Sequence, residues 1–169
     1  MNISHLSFSM EGNVQTAVRV LDRMAKKAAK RGLMIKTGHE ISLQRYQALP
    51  AKIQARFVSN LVKYEPIFDE NIERADEFLD VSKEDEWGCL DMVKREYGVT
   101  FSDEVYNTID KGDIIEIYDV EAIQIYRNLN FFKTTNYGLI DVISNPWMEL
   151  WDRSSVIQDR LEKMVGRAM

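Results

Sequence analysis

DIIEIYDVEAIQIYRNLNFFKTTNYGLIDVISNPWMELW, residues 113–151, is an apolar and aromatic segment on which the predicted fold depends. It holds seven of the seventeen aromatic residues, and its only basic residues are Arg127 and Lys133. A segment this apolar and aromatic must be buried, either against the rest of the chain or against a partner. We therefore expect it to form the spine of the core.

Two structures compete for the first part of this segment. A hairpin at about 114–127 is favoured by the many β-branched residues, and it would give an α+β fold. A helix is favoured by Asp113 and Glu116, which form a capping pair, and by a stripe of side chains at helical spacing. That stripe contains Ile114, Tyr118, Ala122, Ile125, Tyr126, Leu129 and Phe132. We predict one long helix and keep the hairpin as the alternative.

Helical spacing of apolar residues also runs through most of the remaining sequence. Asn13 and Gly32 are the expected N-cap and C′ residues of a first helix. Pro50 and Pro66 each mark the start of a further helix, because proline is favoured in a first helical turn. Later helices are predicted to begin near Ser102, Asn136, Pro146 and Ser155, the last ending near 165.

A well-marked helix is predicted between Ser82 and Gly98. Ser82 precedes three acidic residues that suit the positive end of a helix dipole, and glycine commonly ends a helix. No Pro-, Gly- or Ser-rich linker divides the chain. We therefore predict a mainly α fold, a single-domain multi-helix bundle of about eight or nine helices over residues 1–169, with 1–12 as a flexible N-terminus.

The composition narrows the class of protein. A chain of 169 residues is long enough to bury one ordinary core. The single cysteine, Cys89, leaves no internal disulfide and fits a reducing compartment. The N-terminal sequence lacks the pattern of a secretory signal, and charges interrupt every apolar run before it reaches membrane-spanning length. We expect a cytoplasmic protein with no membrane span.

The charges are segregated along the chain. Between residues 19 and 36 there are seven Lys or Arg and one Asp, whereas residues 65–104 hold fourteen acids and four bases. Either the two segments complement each other within the fold, or each faces a partner. We expect a protein partner at a basic face formed by Arg19, Arg23, Lys26, Lys27 and Lys30, or at an acidic face formed by Glu70, Glu73 and Glu77. Nucleic acid is not expected, because no aromatic residues are interleaved with the basic ones.

The aromatic residues offer a second kind of site. If some of them surround a cavity, they form a pocket for a small-molecule ligand rather than ordinary core. The candidates are Tyr126, Phe131, Phe132, Tyr137, Trp147 and Trp151. Exposed tryptophans near the C-terminus would also suit a self-complementary interface, so a homo-oligomer is a further possibility.

Signatures of catalysis are missing from the sequence. His5 and His39 are the two histidines, and neither has the spacing of a metal motif. No glycine-rich phosphate-binding pattern is present, and no base is spaced to activate Cys89. We therefore predict no catalytic residue, no metal and no cofactor.

Two short runs resemble known families. YRNLNFFKTTNYGLIDVISNPW, residues 126–147, resembles the asparagine, short helix and turn in the first half of PAS sensor domains. This resemblance implies the hairpin alternative and a sensor role, although PAS domains continue with three further strands where a helix is predicted here. EYGVTFSDEVYNTI, residues 96–109, resembles the loop and short helix after the second helix of acyl carrier proteins, but the serine that carries the pantetheine arm has no equivalent.

From these features we predict a non-enzymatic regulatory or protein-interaction module, of a bacterial signalling or adaptor type. The alternative is a small-molecule-binding sensor domain with an aromatic-lined pocket.

Overall fold

The computed structural model describes residues 3–35, 40–119, 123–135 and 137–139, and these form six helices and a two-stranded antiparallel sheet. The helices are α1 (Ile3–Lys30), α2 (Glu40–Ala48), α3 (Ala51–Arg74), α4 (Lys83–Tyr97), α5 (Asp103–Thr108) and α6 (Leu129–Thr134). The strands are β1 (Glu116–Tyr118) and β2 (Gln124–Arg127). The predicted mainly helical fold is confirmed. The predicted helices beginning near 146 and 155 lie outside the described residues, as do Trp147 and Trp151. Only residues 137–139 of the helix predicted to begin near 136 are described.

Helix α1 packs along α3 and supplies one wall of the core. Its buried side chains, Ala17, Val20, Leu21, Met24 and Ala28, follow the helical spacing of the predicted apolar face. Gly32 follows the helix with φ +86°, as expected for a C′ residue. The predicted start at Asn13 is wrong, because the helix begins at Ile3.

Helix α3 runs without interruption through Pro66, which corrects the prediction that a new helix begins there. Proline removes the hydrogen bond to the carbonyl of Val62, four residues earlier. Val62 is 49% exposed, so water can reach this carbonyl and lower the cost. Leu61 and Phe68, on either side of the proline, are buried in the same core, which stabilises one continuous helix.

Helix α4 begins and ends as the sequence predicts. The side chain of Ser82 accepts a hydrogen bond of 3.1 Å from the backbone N–H of Asp85. Gly98 ends the helix in the left-handed region with φ +69°.

Strands β1 and β2 pair antiparallel, so the long helix predicted from Asp113 onward is wrong and the hairpin alternative is confirmed. The carboxylate of Asp113 accepts from the N–H of Asp110 at 2.8 Å instead of capping a helix. Asp119 closes the hairpin, because its side chain accepts from the N–H of Ile123 at 3.0 Å. Tertiary burial of β2 therefore outweighs the helical spacing.

The hairpin lies against α3, with one face of β2 in the core. The Tyr126 ring meets the Tyr64 ring edge-on at 6.1 Å, and the hydroxyl of Tyr64 donates to the carbonyl of Arg127 at 2.7 Å. Asn128 then caps α6 by accepting from the N–H of Phe131 at 3.4 Å. Within the described ranges, none of the helices is both long and apolar enough to cross a bilayer.

Candidate functional site

The basic and acidic segments meet each other in the fold. Arg23 donates two hydrogen bonds to Glu65, of 2.6 and 2.7 Å, across the contact between α1 and α3. Lys27 lies between Asp69 at 3.0 Å and Glu73 at 2.7 Å. The predicted complementarity within the fold is therefore present at these positions, and two members of the basic face are engaged inside the chain.

The remaining members of the basic face differ in their surroundings. Arg19 donates to the carbonyl of Gln15 on its own helix at 3.3 Å. Lys26 and Lys30 are exposed on α1. This part of the face therefore presents positive charge to solvent.

The acidic face does not form one helical surface. Glu70 accepts from Arg74 on the same helix at 2.7 Å. Glu77 lies beyond the end of α3, in a turn where the side chain of Asp76 accepts from the N–H groups of Phe78 and Asp80 at 2.8 and 2.9 Å. The prediction that Glu77 shares a helix face with Glu70 is wrong, because this local turn replaces the last helical turn.

Two of the predicted pocket residues line a cavity between α1, α3 and β2. Tyr126 and Phe132 form part of its wall. Phe131 and Tyr137 do not line it, and their rings stack on each other with centroids 6.2 Å apart. The cavity holds about 30 Å³, which is space for roughly two water molecules. Most of its remaining wall is apolar, with Leu21, Met24, Phe57, Leu61, Ile125 and Leu139 among the lining residues.

Three residues that line this cavity each carry a buried side-chain atom that has no hydrogen-bond partner among the described residues. They are Asn60 Nδ2, Gln124 Oε1 and Arg127 Nη1, and all three are buried. Buried polar atoms in native proteins are nearly always bonded to protein or to ordered water. These three atoms are exceptions to that rule among the described residues.

Arg127 is the least expected member of this set, since its side chain is buried with only 5% of the residue exposed. Its guanidinium carbon lies 4.7 Å from the ring centroid of Phe131 and 5.6 Å from that of Phe132. Burial lowers the pKa of Arg127 to about 10, so the group still carries its charge at neutral pH. The two rings offset part of the desolvation through cation–π attraction.

The hydroxyl of Tyr126 belongs to a second cluster of buried polar side chains. The Tyr126 hydroxyl donates to Glu86 on α4 and accepts from Asn71 on α3 at 2.9 Å. The second carboxylate oxygen of Glu86 lies 3.4 Å from the amide of Asn128. Burial raises the pKa of Glu86, and the two donors oppose this rise. These contacts join α3, α4 and the hairpin.

Cys89, one turn after Glu86, has the properties expected of a structural thiol. It is fully buried and unpaired, and burial raises its pKa to about 12. A protonated, inaccessible thiol is a poor nucleophile. In the described part of the chain, no group of three or more His, Cys, Asp or Glu side chains is arranged to hold a metal ion.

An open groove lies between α5 and β1. It has a volume of about 330 Å³ and is lined mainly by apolar side chains, including Leu90, Phe101, Val105, Ile109, Ile115 and Ile117. Ile114 and Val105 at this groove are 41% and 37% exposed. Over the described residues, β1 pairs only with β2, so its other edge carries no strand.

No protein-family model, curated protein or solved structure matches this chain.

The sequence patterns do not predict the polar residues of the cavity or the buried contacts of Glu86. The predicted helix places Arg127 and Gln124 outside the apolar stripe, where they would face solvent. The same patterns place Glu86 in an acidic first turn on the surface. The available signal was the alternation in residues 123–127, where assignment to a strand would have placed Gln124 and Arg127 beside buried neighbours.

Proposed function

We propose that this protein is a non-enzymatic protein-interaction module that binds an extended, basic and apolar peptide segment of its partner along β1. The observation that supports the proposal most directly is the apolar groove of about 330 Å³ beside an unpaired strand edge. Extended peptides commonly add to such edges through main-chain hydrogen bonds, and pockets beside the strand select alternate side chains.

The backbone of β1 is oriented for this mode of binding. Ile115 exchanges hydrogen bonds with Asn128, since its carbonyl accepts from the Asn128 N–H and its own N–H donates to the Asn128 side chain, both at 3.1 Å. Backbone groups of successive strand residues point to opposite edges. The N–H and C=O of Glu116 therefore face away from β2 and are directed towards an incoming strand.

Acidic residues around the groove determine which peptides are expected to bind. Asp113 and Glu116 line it, and Asp103 and Glu104 begin the helix that forms its other wall. Acidic side chains around an apolar groove favour a peptide in which apolar residues alternate with lysine or arginine. An acidic or uncharged peptide of the same apolar content is expected to bind more weakly.

The exposed part of the basic face is a secondary candidate for contact with an acidic partner surface. Lys26 and Lys30 are exposed, whereas Arg23 and Lys27 already pair with α3. Reversal of Lys26 and Lys30 to Glu tests this contact without breaking the ion pairs of α1 with α3. Unchanged partner binding after this double reversal would remove the basic face from the proposal.

The experiment for the groove uses fluorescence anisotropy with a labelled synthetic peptide, Lys-Val-Lys-Val-Lys-Val-Lys, and the matched peptide with Glu in place of Lys. We expect saturable binding of the basic peptide by the wild-type protein. Ile114→Lys should weaken this binding at least tenfold, because it places a positive charge in the groove. Val62→Lys is the matched control, since Val62 is 49% exposed on α3, away from the groove, and it should leave binding unchanged.

Three outcomes would overturn the proposal. The basic peptide does not bind at concentrations up to about 1 mM, which corresponds to roughly 4 kcal/mol of binding free energy. Ile114→Lys binds as well as Val62→Lys. In the third outcome, no peptide binds, analytical ultracentrifugation shows a concentration-dependent dimer, and Ile114→Lys abolishes that dimer. The groove would then be an interface between two copies of this chain.

A small-molecule sensor is the second candidate function. It is supported by the cavity that Tyr126, Phe132 and Arg127 share. The space of about 30 Å³ is far below the roughly 300 Å³ of ordinary ligand pockets, so the cavity does not favour an aromatic or drug-sized ligand. A much smaller ligand is compatible with it.

A further inference from the structure

We infer that one end of the molecule is a self-complementary surface through which two copies of this chain associate. This surface, the tip, consists of Lys30 and Met34 at the end of α1 and of Glu77 and Phe78 in the turn after α3. The tip shares no residue with the groove beside β1, so the association is independent of peptide binding there.

The C-terminal ends of α1 and α3 lie together. Near the middle of α1, Arg23 lies 2.6 Å from Glu65 on α3. Further along both helices, Arg31 donates to the carbonyl of Ala75 at 2.5 Å. The two helices are therefore parallel, and the segments that follow them leave from the same end of the molecule.

Met34 and Phe78 project from this end into solvent. They are the two most exposed large hydrophobic side chains of the described residues, at 83% and 72%. Each lies three residues beyond the contact between Arg31 and Ala75. Single exposed hydrophobic residues are ordinary, whereas a Met and a Phe at one end are of the types enriched at protein interfaces.

The turn after α3 holds Phe78 in its exposed position. Leu79 packs against the core with φ +60°, a conformation that is costly for a residue other than glycine. The side chain of Asp76 accepts from the N–H groups of Phe78 and Asp80 at 2.8 and 2.9 Å. Lys133 donates to the carbonyl of Leu79 at 3.3 Å. These contacts stabilise the turn with Leu79 inward, and the Phe78 ring consequently faces solvent.

The charges of the tip identify a second copy as the partner. Lys30 and Glu77 are exposed, and neither takes part in an ion pair within the described part of the chain. Lys30 comes from the α1 side of the tip and Glu77 from the α3 side. A surface with both signs of charge on opposite sides complements itself, whereas a partner of one charge sign would be repelled by one of them.

Two-fold symmetry then sets the contacts. In a two-fold interface each pair of unlike residues occurs twice, once in each direction. Lys30 of one copy meets Glu77 of the other. Met34 meets Phe78 in the same way, which gives a favourable contact between a thioether and an aromatic ring.

The association is tested by sedimentation equilibrium of the purified full chain. The tip is small compared with the roughly 800 Å² per partner of a stable interface, so we expect a weak monomer–dimer equilibrium with a Kd of about 100 µM. Phe78→Ser and Met34→Ser should each weaken the dimer at least about tenfold, because each removes an apolar anchor. Val62→Ser is the matched control, since Val62 is 49% exposed in the middle of α3, and it should leave the dimer unchanged.

Charge reversal tests the two-fold pairing. Lys30→Glu and Glu77→Lys should each weaken the dimer about threefold to tenfold, because each places like charges opposite one another. The double variant restores opposite charges and should return the Kd to within about twofold of the wild-type value. Lys52→Glu is the control for Lys30→Glu, since Lys52 is exposed in the first turn of α3, at the end remote from the tip.

Three results would overturn the inference. A protein that stays monomeric up to about 1 mM would show that the tip contacts another protein or another part of the chain. A dimer that survives Phe78→Ser and is abolished by Ile114→Lys would place the interface at β1. A double charge variant no stronger than the single variants would exclude the two-fold pairing. Should Phe78→Ser fail to fold, as judged by circular dichroism, Met34→Ser and the charge reversals decide.

Discussion

Replacing Tyr126 with Phe tests whether the buried polar network holds α3, α4 and the hairpin together. The hydroxyl of Tyr126 donates to the Glu86 carboxylate and accepts from the amide of Asn71 at 2.9 Å. Phe keeps the ring and its edge-on contact with Tyr64 but removes both hydrogen bonds. The substitution therefore isolates the polar contribution from the packing.

The expected cost follows from the groups that lose a partner. The carboxylate oxygen of Glu86 and the amide nitrogen of Asn71 are both buried, and each unsatisfied buried group costs about 1–3 kcal/mol, more when it is charged. We therefore expect Tyr126→Phe to lower the free energy of unfolding by about 2–5 kcal/mol at pH 7. For a chain of this length, that corresponds to a fall in Tm of roughly 5–15 °C.

The destabilisation caused by Tyr126→Phe should depend on pH, because the Tyr126 hydroxyl donates to Glu86, which titrates. Burial already raises the pKa of Glu86 above its ordinary value of 4.5, and the Tyr126 hydroxyl opposes that rise. A carboxyl with a raised pKa in the folded state contributes stability that is present below its unfolded pKa and is lost as pH rises through the folded pKa. Removing the hydroxyl raises the folded pKa further, so the destabilisation by Tyr126→Phe should shrink as pH falls from 7 towards 5.

The assay is urea denaturation followed by circular dichroism at several pH values, with Tyr106→Phe as the control. Tyr106 also donates to a carboxylate, Asp91, at 3.0 Å, but this contact is exposed, and its loss should cost less than about 1 kcal/mol at every pH. The reasoning is refuted if Tyr126→Phe costs no more than the control, or if its cost is the same at pH 5 and pH 7.

Three further predictions concern single positions. Gly98→Ala should lower the free energy of unfolding by about 1 kcal/mol, because φ at Gly98 is +69°. Gly12→Ala should raise it by up to about 1 kcal/mol, because Gly12 lies exposed inside α1 and alanine favours a helix. Thermal denaturation in which both variants change Tm in the same direction would contradict this. Pro66→Ala should raise the free energy of unfolding by about 1–3 kcal/mol, because it restores the helical hydrogen bond to Val62; a lower midpoint in urea would show that the proline is required. Cys89 should react with a disulfide reagent only on unfolding, since it is fully buried with a pKa of about 12, and rapid labelling of the native protein would disprove its burial.

Local sequence patterns predicted the helices that have their own start and stop signals. Ser82 and Gly98 delimit α4 because a hydroxyl cap and a left-handed glycine act within one helical turn. The same reasoning failed at Asn13, at Pro66 and at Asp113. Pro66 is a local signal for a helix start, but packing of α3 against α1 outweighs it. Asp113 and Glu116 have the spacing of a helix cap, but burial of β2 and its pairing with β1 make the segment two strands.

The candidate sites depended on contacts between residues that lie far apart in the chain. Tyr126 and Phe132 were identified as pocket candidates because large aromatic side chains are recognisable in any secondary structure, and both line the cavity. Asn60, Gln124 and Arg127 were not identified, since each is an ordinary surface residue type until the hairpin buries it against α3.

Composition and periodicity are enough to predict a mainly helical protein with segregated charges and an aromatic segment that must be buried, because these signals act over a few residues. The tertiary structure decided that the basic stripe pairs with α3 at Arg23 and Lys27, that the aromatic segment begins as a hairpin, and that Arg127 is buried beside a cavity. Burial and ion pairing are properties of surfaces brought together by the whole fold, and those surfaces come from elements that are remote in sequence.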